Sequence, residues 1–149
     1  MQPYGPAVLR LAIGAVFVAH GAQKLFGVWG GGGLAGTAGF FTQLGLTPAY
    51  PLAILVALVE LAGGLMLILG ALTLFAALAL AINMAVAIWK VHFAHGFFLP
   101  MGYEYNVALI GALVTLMLTG PGALSVDGWR ARHAEAAAYG RARIRSGNV

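Results

Sequence analysis

Between Pro51 and Thr73 the chain reads LAILVALVELAGGLMLILGAL, and Glu60 is the only ionisable residue in that run. A carboxylate amid so much hydrocarbon costs several kcal/mol unless it is protonated, paired or turned toward water, so such residues carry function by default. Glu60 can relay a proton, or it can act as a hydrogen-bonded link between helices. The other side chains able to share its chemistry are few: Arg10, His20, Lys24, Asn83, Lys90 and Glu104. The pair His92 and His95, with Glu104 nearby, has the composition of a metal site, but the spacing arises by chance and His95 adjoins Gly96. No metal is favoured. A bis-His haem would need His20 and a ligand at equal depth, and His92 falls about two helical turns shallower. The chain has no cysteine, which removes thiol relays, iron–sulfur clusters and disulfides together. Ser125 and Ser146 are the only serines and lie outside the apolar segments, so nucleophilic catalysis has no basis.

These residues must be held by helices in a bilayer. Hydrophobic residues make up 61 % and charged residues 8 % of the 149, against roughly 45–50 % and 25 % in soluble domains. The Glu60 run makes a helix of about 30 Å, the thickness of a hydrocarbon core. On its Glu60 face lie Ala53, Ala57, Gly63 and Gly64, small residues that let another helix come close. A helix from Ala7 to Phe26 precedes it, with Arg10, Gly14, Phe17, Gly21 and Lys24 on one face. A signal peptide is the competing reading of that first segment, but no basic region precedes it and Arg10 is embedded in it.

The Gly27–Tyr50 connection holds an amphipathic segment from Thr37 to Leu44 at the headgroup level, with Phe40, Phe41 and Leu44 facing the lipid. A tight hairpin at Gly70–Thr73 returns a third helix, Thr73–His92, carrying a stripe of Ala76, Ala79, Asn83, Ala87 and Lys90. Glu60 and Asn83 each lie nine residues from the shared outer end, so Asn83 is the expected partner of Glu60. The aromatic stretch Phe93–Tyr103 reads as an interfacial belt. A fourth helix follows from Glu104 or Asn106 to Thr119, with Glu104, Ala108, Gly111 and Thr115 as its close-packing face.

The expected fold is therefore an all-α integral membrane protein, a four-helix transmembrane bundle with an outer amphipathic segment after the first helix. The membrane domain spans residues 1–124 and a basic tail residues 125–149. In the tail, Asp127 is placed to cap a short helix through Tyr139, Trp129 beside Arg130 and Arg132 suits an anionic membrane surface, and the last residues read as unstructured. Five of the eight basic residues lie in this tail, which puts it and the N-terminus in the cytoplasm. The net charge of +4 reflects that tail, not a nucleic-acid surface.

Several stretches, taken in order, resemble the DoxX family. Arg10-Leu-Ala-Ile-Gly14 and His20-Gly-Ala-Gln-Lys-Leu-Phe-Gly27 are similar to its first-helix signature. Thr37-Ala-Gly-Phe-Phe41, Leu44-Gly-Leu-Thr-Pro48 and Glu60-Leu-Ala-Gly-Gly64 follow. Val91-His92, Gly96-Phe-Phe98, Gly102-Tyr-Glu104, Gly120-Pro-Gly122, Ser125 and Asp127 complete the likeness. Two positions depart from it: Leu74 stands where many relatives carry Arg, and Met101 replaces a Gly.

The resemblance implies a four-helix bacterial or archaeal inner-membrane protein. It also implies a link to quinone-coupled oxidation of sulfur compounds or to a complex handling oxidative stress. A redox partner protein and a quinone follow as expectations, with no intrinsic cofactor. Arg10, His20, Lys24, Glu60, Asn83, Lys90 and Glu104 then form the candidate ligand cluster, with His20 and Lys24 donating to quinone carbonyls and Glu60 relaying protons. The competing readings are a structural ion-pair network, a proton-coupled carrier that would need to form a homodimer, and an assembly scaffold.

Overall fold

The computed structural model describes residues 4–145. Residues 1–3 and 146–149 lie outside the described residues, and with them Ser146 and the expected unstructured end. Six α-helices follow one another: α1 Gly5–Phe26, α2 Gly33–Gln43, α3 Ala49–Leu69, α4 Thr73–Ala87, α5 Glu104–Thr119 and α6 Val126–Arg145. Among the described residues there is no β-strand. α4 runs on through a π-helical turn at Ile88–His92 and a 3-10 turn at Phe93–His95.

Among the described residues three helical stretches are long and apolar enough to cross a membrane: Gly5–Phe26, Ala49–Leu69 and Thr73–His95. α5 is apolar but shorter, at 16 residues, or about 24 Å of helix. Contacts run from α1 to α3, α3 to α4, α4 to α5 and α5 back to α1. Inside that ring lie Phe17, Leu67, Ala77, Leu80, Leu113 and Leu116, each at most 1 % exposed. Outside it Leu55, Leu58, Leu65, Phe75, Leu78, Ile82 and Leu118 stand exposed. Such an apolar exterior, continuous over several helices, is what acyl chains cover.

The tightest seam is α1 on α3, and glycines make it. A Cβ on Gly64 would sit 2.7 Å from the Gly14 carbonyl oxygen and 2.8 Å from the Val18 nitrogen. A Cβ on Gly14 would meet Gly64 O at the same 2.8 Å. The two backbones are therefore in direct contact, as small residues permit within a membrane. α3 meets α4 through Gly63, against which the Leu80 side chain packs.

Several details differ from the expectations above. On α5 the packed face is Asn106, Leu109, Leu113 and Leu116. Ala108, Gly111 and Thr115 point outward, and nothing lies within 4 Å of where a Gly111 Cβ would be. α5 instead packs Leu109, Leu113 and Leu116 into one buried cluster with Leu80 and Met84 of α4, apolar area that the small residues of the expected face could not cover. Ala79, in the expected stripe of α4, is likewise exposed, while Ala76 is buried.

α2 also behaves otherwise. Ala38 and Phe41 pack on Ala53 of α3, with Leu44 against the same cluster, and only Phe40 faces outward.

At the hairpin end the chain is tied together by polar groups. Gly70 (φ 63°) and Leu72 (φ 49°) take left-handed conformations to turn α3 into α4. Asp127 does not cap α6. Its carboxylate accepts from Leu72 N at 2.9 Å and Thr73 N at 2.8 Å, closing the start of α4. Ser125 caps α6 instead, its Oγ accepting from Gly128 N at 3.1 Å. The reason is spacing: Asp127 already lies inside the first turn, whereas Ser125 holds the position before it. α6 continues beyond Tyr139 to Arg145.

Candidate functional site

Glu60 sits in the middle of α3 on the face that carries Ala53, Ala57, Gly63 and Gly64, and it is 2 % exposed. Both carboxylate oxygens are engaged. Oε1 accepts from Asn83 Nδ2 of α4 at 2.9 Å. Oε2 forms an ion pair with Lys24 Nζ of α1. Three helices thus meet on one carboxylate, which is how a charge survives inside hydrocarbon. The pair is asymmetric, since the Lys24 side chain keeps 27 % of its surface exposed against 3 % for Glu60. Lys24 is therefore the member that can be reached from outside.

The geometry that delivers Lys24 follows from the glycine seam. Gly21 abuts the backbone of Leu61, and Lys24, three residues on, falls on the same helical face. Its side chain then reaches back along α3 to Glu60. Depth along the helices predicts Asn83 as the partner of Glu60 but does not single out Lys24 for that contact. The signal is present in the chain: a glycine that lets α1 touch α3 fixes which residues one turn away face each other.

The remaining candidates are dispersed. His20, exposed one turn before Lys24, has its Nδ1 at 2.9 Å from its own helix's Val16 carbonyl. A carbonyl only accepts, so Nδ1 donates in this contact and Nε2 is the ring nitrogen left to meet a ligand. Lys90 lies over the ring of its neighbour Trp89, its Nζ at 3.7 Å from the centroid. Glu104 holds its own loop, accepting from Leu99 N at 2.9 Å. His92 Nδ1 is 2.8 Å from Met101 O and His95 Nδ1 is 3.1 Å from Val91 O. Among the described residues no three His, Asp or Glu side chains gather as a metal site would require.

Arg10 is furthest from expectation. It is 1 % exposed, at the opposite end of α1 from Lys24. Nη1 donates to Leu67 O at 3.0 Å and Ile68 O at 3.3 Å, and Nη2 donates to Ala123 O at 3.0 Å and Leu124 O at 3.2 Å. The last carbonyls of α3 lack intrahelical partners, and a guanidinium fork satisfies them while tying in the loop before α6. Hydropathy patterning misses this, because it places a helix face but not the reach of a long side chain.

At the aromatic end, Phe93 stacks on Tyr103 with centroids 6.0 Å apart, and Phe97 meets Tyr103 edge-on at 5.4 Å. Gln23 Nε2 donates to Trp29 O at 3.2 Å, folding the glycine-rich connection over the end of α1. Asn106, 6 % exposed, points its amide at Met84 Sδ, 3.4 Å away. In sequence it marks only a helix start; in the fold it is a buried polar residue.

Comparison with known proteins places this arrangement. The chain is 29 % identical over 134 residues to an uncharacterised protein of Haemophilus influenzae, covering 85 % of this chain and 90 % of that one. It is 32 % identical over 124 residues to a Bacillus subtilis protein named "Putative oxidoreductase CatD", covering 83 % and 84 % of the two chains. It is also 32 % identical over 129 residues to the inner membrane protein YqjF of Escherichia coli, covering 85 % and 92 %. No solved structure matches it. The DoxX family model matches residues 5–93, which include Lys24, Glu60 and Asn83, and the chain belongs to the DoxX family.

Proposed function

We propose that this chain is a four-span inner-membrane protein with both termini in the cytoplasm, in which α5 is the fourth span. It works as a subunit of, or partner to, a quinone-linked redox or oxidative-stress complex. It binds a small molecule at the outer end of the Lys24–Glu60–Asn83 group. The observation that carries the reading is a buried carboxylate shared by three helices whose cation remains reachable. The names of CatD and YqjF, as an oxidoreductase and an inner membrane protein, agree with it.

The residues fit a reduced quinone headgroup better than an oxidised one. Lys24 supplies N–H donors and His20 Nε2 an acceptor one turn away on the same helix. A hydroquinone would satisfy both, one hydroxyl donating to His20 Nε2 and the oxygen of the other accepting from Lys24 Nζ. When bound, the quinone would supply two-electron chemistry to a partner. The chain's own part is to orient the headgroup and to hold a proton at the Glu60 carboxylate.

The test is to purify the protein gently from its native membranes and assay extracted quinone and co-purifying proteins. Wild type should carry quinone or a redox partner, and Lys24→Met should lose the quinone. A preparation with neither overturns the reading.

One observation favours a second reading, a structural scaffold: both oxygens of Glu60 are already satisfied within the chain. In that case Lys24→Met lowers stability and changes no ligand content. A proton-coupled carrier, by contrast, requires pH-dependent flux in proteoliposomes that Glu60→Gln abolishes.

A further inference from the structure

We propose that α6 is a lipid-binding element whose exposed face docks on a bilayer surface bearing anionic headgroups. Its root is fixed at the boundary of the membrane-spanning segments. Asp127 N donates to Gly70 O at 2.9 Å while the Asp127 carboxylate closes α4, and Arg10 grips the carbonyls of residues 123 and 124. The first turn of α6 therefore cannot leave the ends of α3 and α4. Beyond that turn the helix has no cover from the rest of the chain: every residue from Trp129 to Tyr139 is at least partly exposed, and nearly all are fully so.

The arrangement around the helix matches an interface, not open water. At about 100° per residue, Trp129, His133 and Ala136 fall on one stripe. Trp129 and His133 pack together with ring centroids 4.2 Å apart, and Trp129 stays 54 % exposed. At the same spacing Arg132 lies about 70° from the centre of the stripe on one side, and Arg130 about 90° and Arg141 about 110° on the other, while Glu135 lies further round, about 130° away. Cations bordering an apolar face place their charge among headgroups while the ring sits at the acyl boundary. The occupant is a bilayer with anionic lipid, because the cations are arginines and Glu135, the one carboxylate between Trp129 and Arg141, lies away from the stripe.

The test uses the full chain carrying Trp29→Phe and Trp89→Phe, so that Trp129 alone fluoresces. The chain is placed in nanodiscs of phosphatidylcholine, or of phosphatidylcholine mixed with phosphatidylglycerol. Brominated lipid quenches a docked indole, and acrylamide quenches a free one. In the mixed nanodiscs Trp129 should be quenched by bromolipid and shielded from acrylamide, and added salt should reverse both. Arg132→Gln and Arg141→Gln should lower the docked-to-free ratio roughly fivefold per arginine.

Equal docking in both lipids overturns recognition of the anionic headgroup. Acrylamide access in both overturns docking altogether and leaves α6 for a protein partner. Should the tryptophan variants fail to fold, a spin label at Tyr139→Cys in the cysteine-free chain reads the same immersion depth and separates the same outcomes.

Discussion

The Glu60 carboxylate is held by both Lys24 and Asn83, and the consequences of removing either are unequal. Lys24→Met leaves a buried carboxylate facing one amide, which should cost about 1–3 kcal/mol, less than for a fully buried pair because Lys24 is partly exposed. Adding Glu60→Gln removes the orphaned charge, and a neutral amide can still bond Asn83. The double variant should therefore melt above Lys24→Met, a sign that additive effects would forbid. Thermal unfolding of wild type, the two single variants and the double variant in one detergent reads this directly. How far such contacts are legible in the chain depends on residue type. Asn83 follows from depth alone, since helices joined by a tight hairpin put equal distances from one end at equal depth. Lys24 and Arg10 do not, because a long side chain can reach along either direction of its helix.

Among the elements, the glycines that matter are those at backbone contacts, not those that merely share a stripe. Gly64→Leu would drive a side chain into the Gly14 carbonyl and the Val18 nitrogen, forcing α1 off α3 and withdrawing Lys24 from Glu60. Gly111→Leu enters open space on the outer face of α5 and should leave stability nearly unchanged. In sequence both are small residues at helical spacing. Tertiary contact separates them: Gly64 meets the α1 backbone, whereas α5 turns Leu109, Leu113 and Leu116 toward Leu80 and Met84 of α4.

The hairpin element makes a second prediction. Burial pushes the Asp127 carboxyl up, but the backbone N–H groups of Thr73 and Leu72, with Arg130, outweigh it and hold the group below its ordinary value of 3.8. A carboxyl lowered in this way adds stability above the ordinary value and loses it as pH falls through the folded value. Wild type should thus lose melting temperature below about pH 4. Asp127→Asn, less stable at neutral pH, should lose less over the same interval.

At the scale of the molecule, the two ends differ in charge. The hairpin end carries the root of α6 and its exposed arginines, while the aromatic end carries Lys90, Glu104 and a belt of exposed Trp29, Trp89, Phe93 and Phe98. Basic residues near a span are retained on the cytoplasmic side, and five arginines follow α5 against two lysines at the other end. An arginine tail held outside would oppose that bias. The absence of cysteine allows a direct reading, because any single cysteine is the sole thiol. Phe98→Cys, 75 % exposed at the aromatic end, should react with a membrane-impermeant maleimide in intact spheroplasts. Tyr139→Cys, 74 % exposed on α6, should react only after the membrane is opened. The reverse labelling would turn the molecule over and place Lys24 toward the cytoplasm. The triad would survive that inversion, but any ligand would then have to arrive from inside the cell.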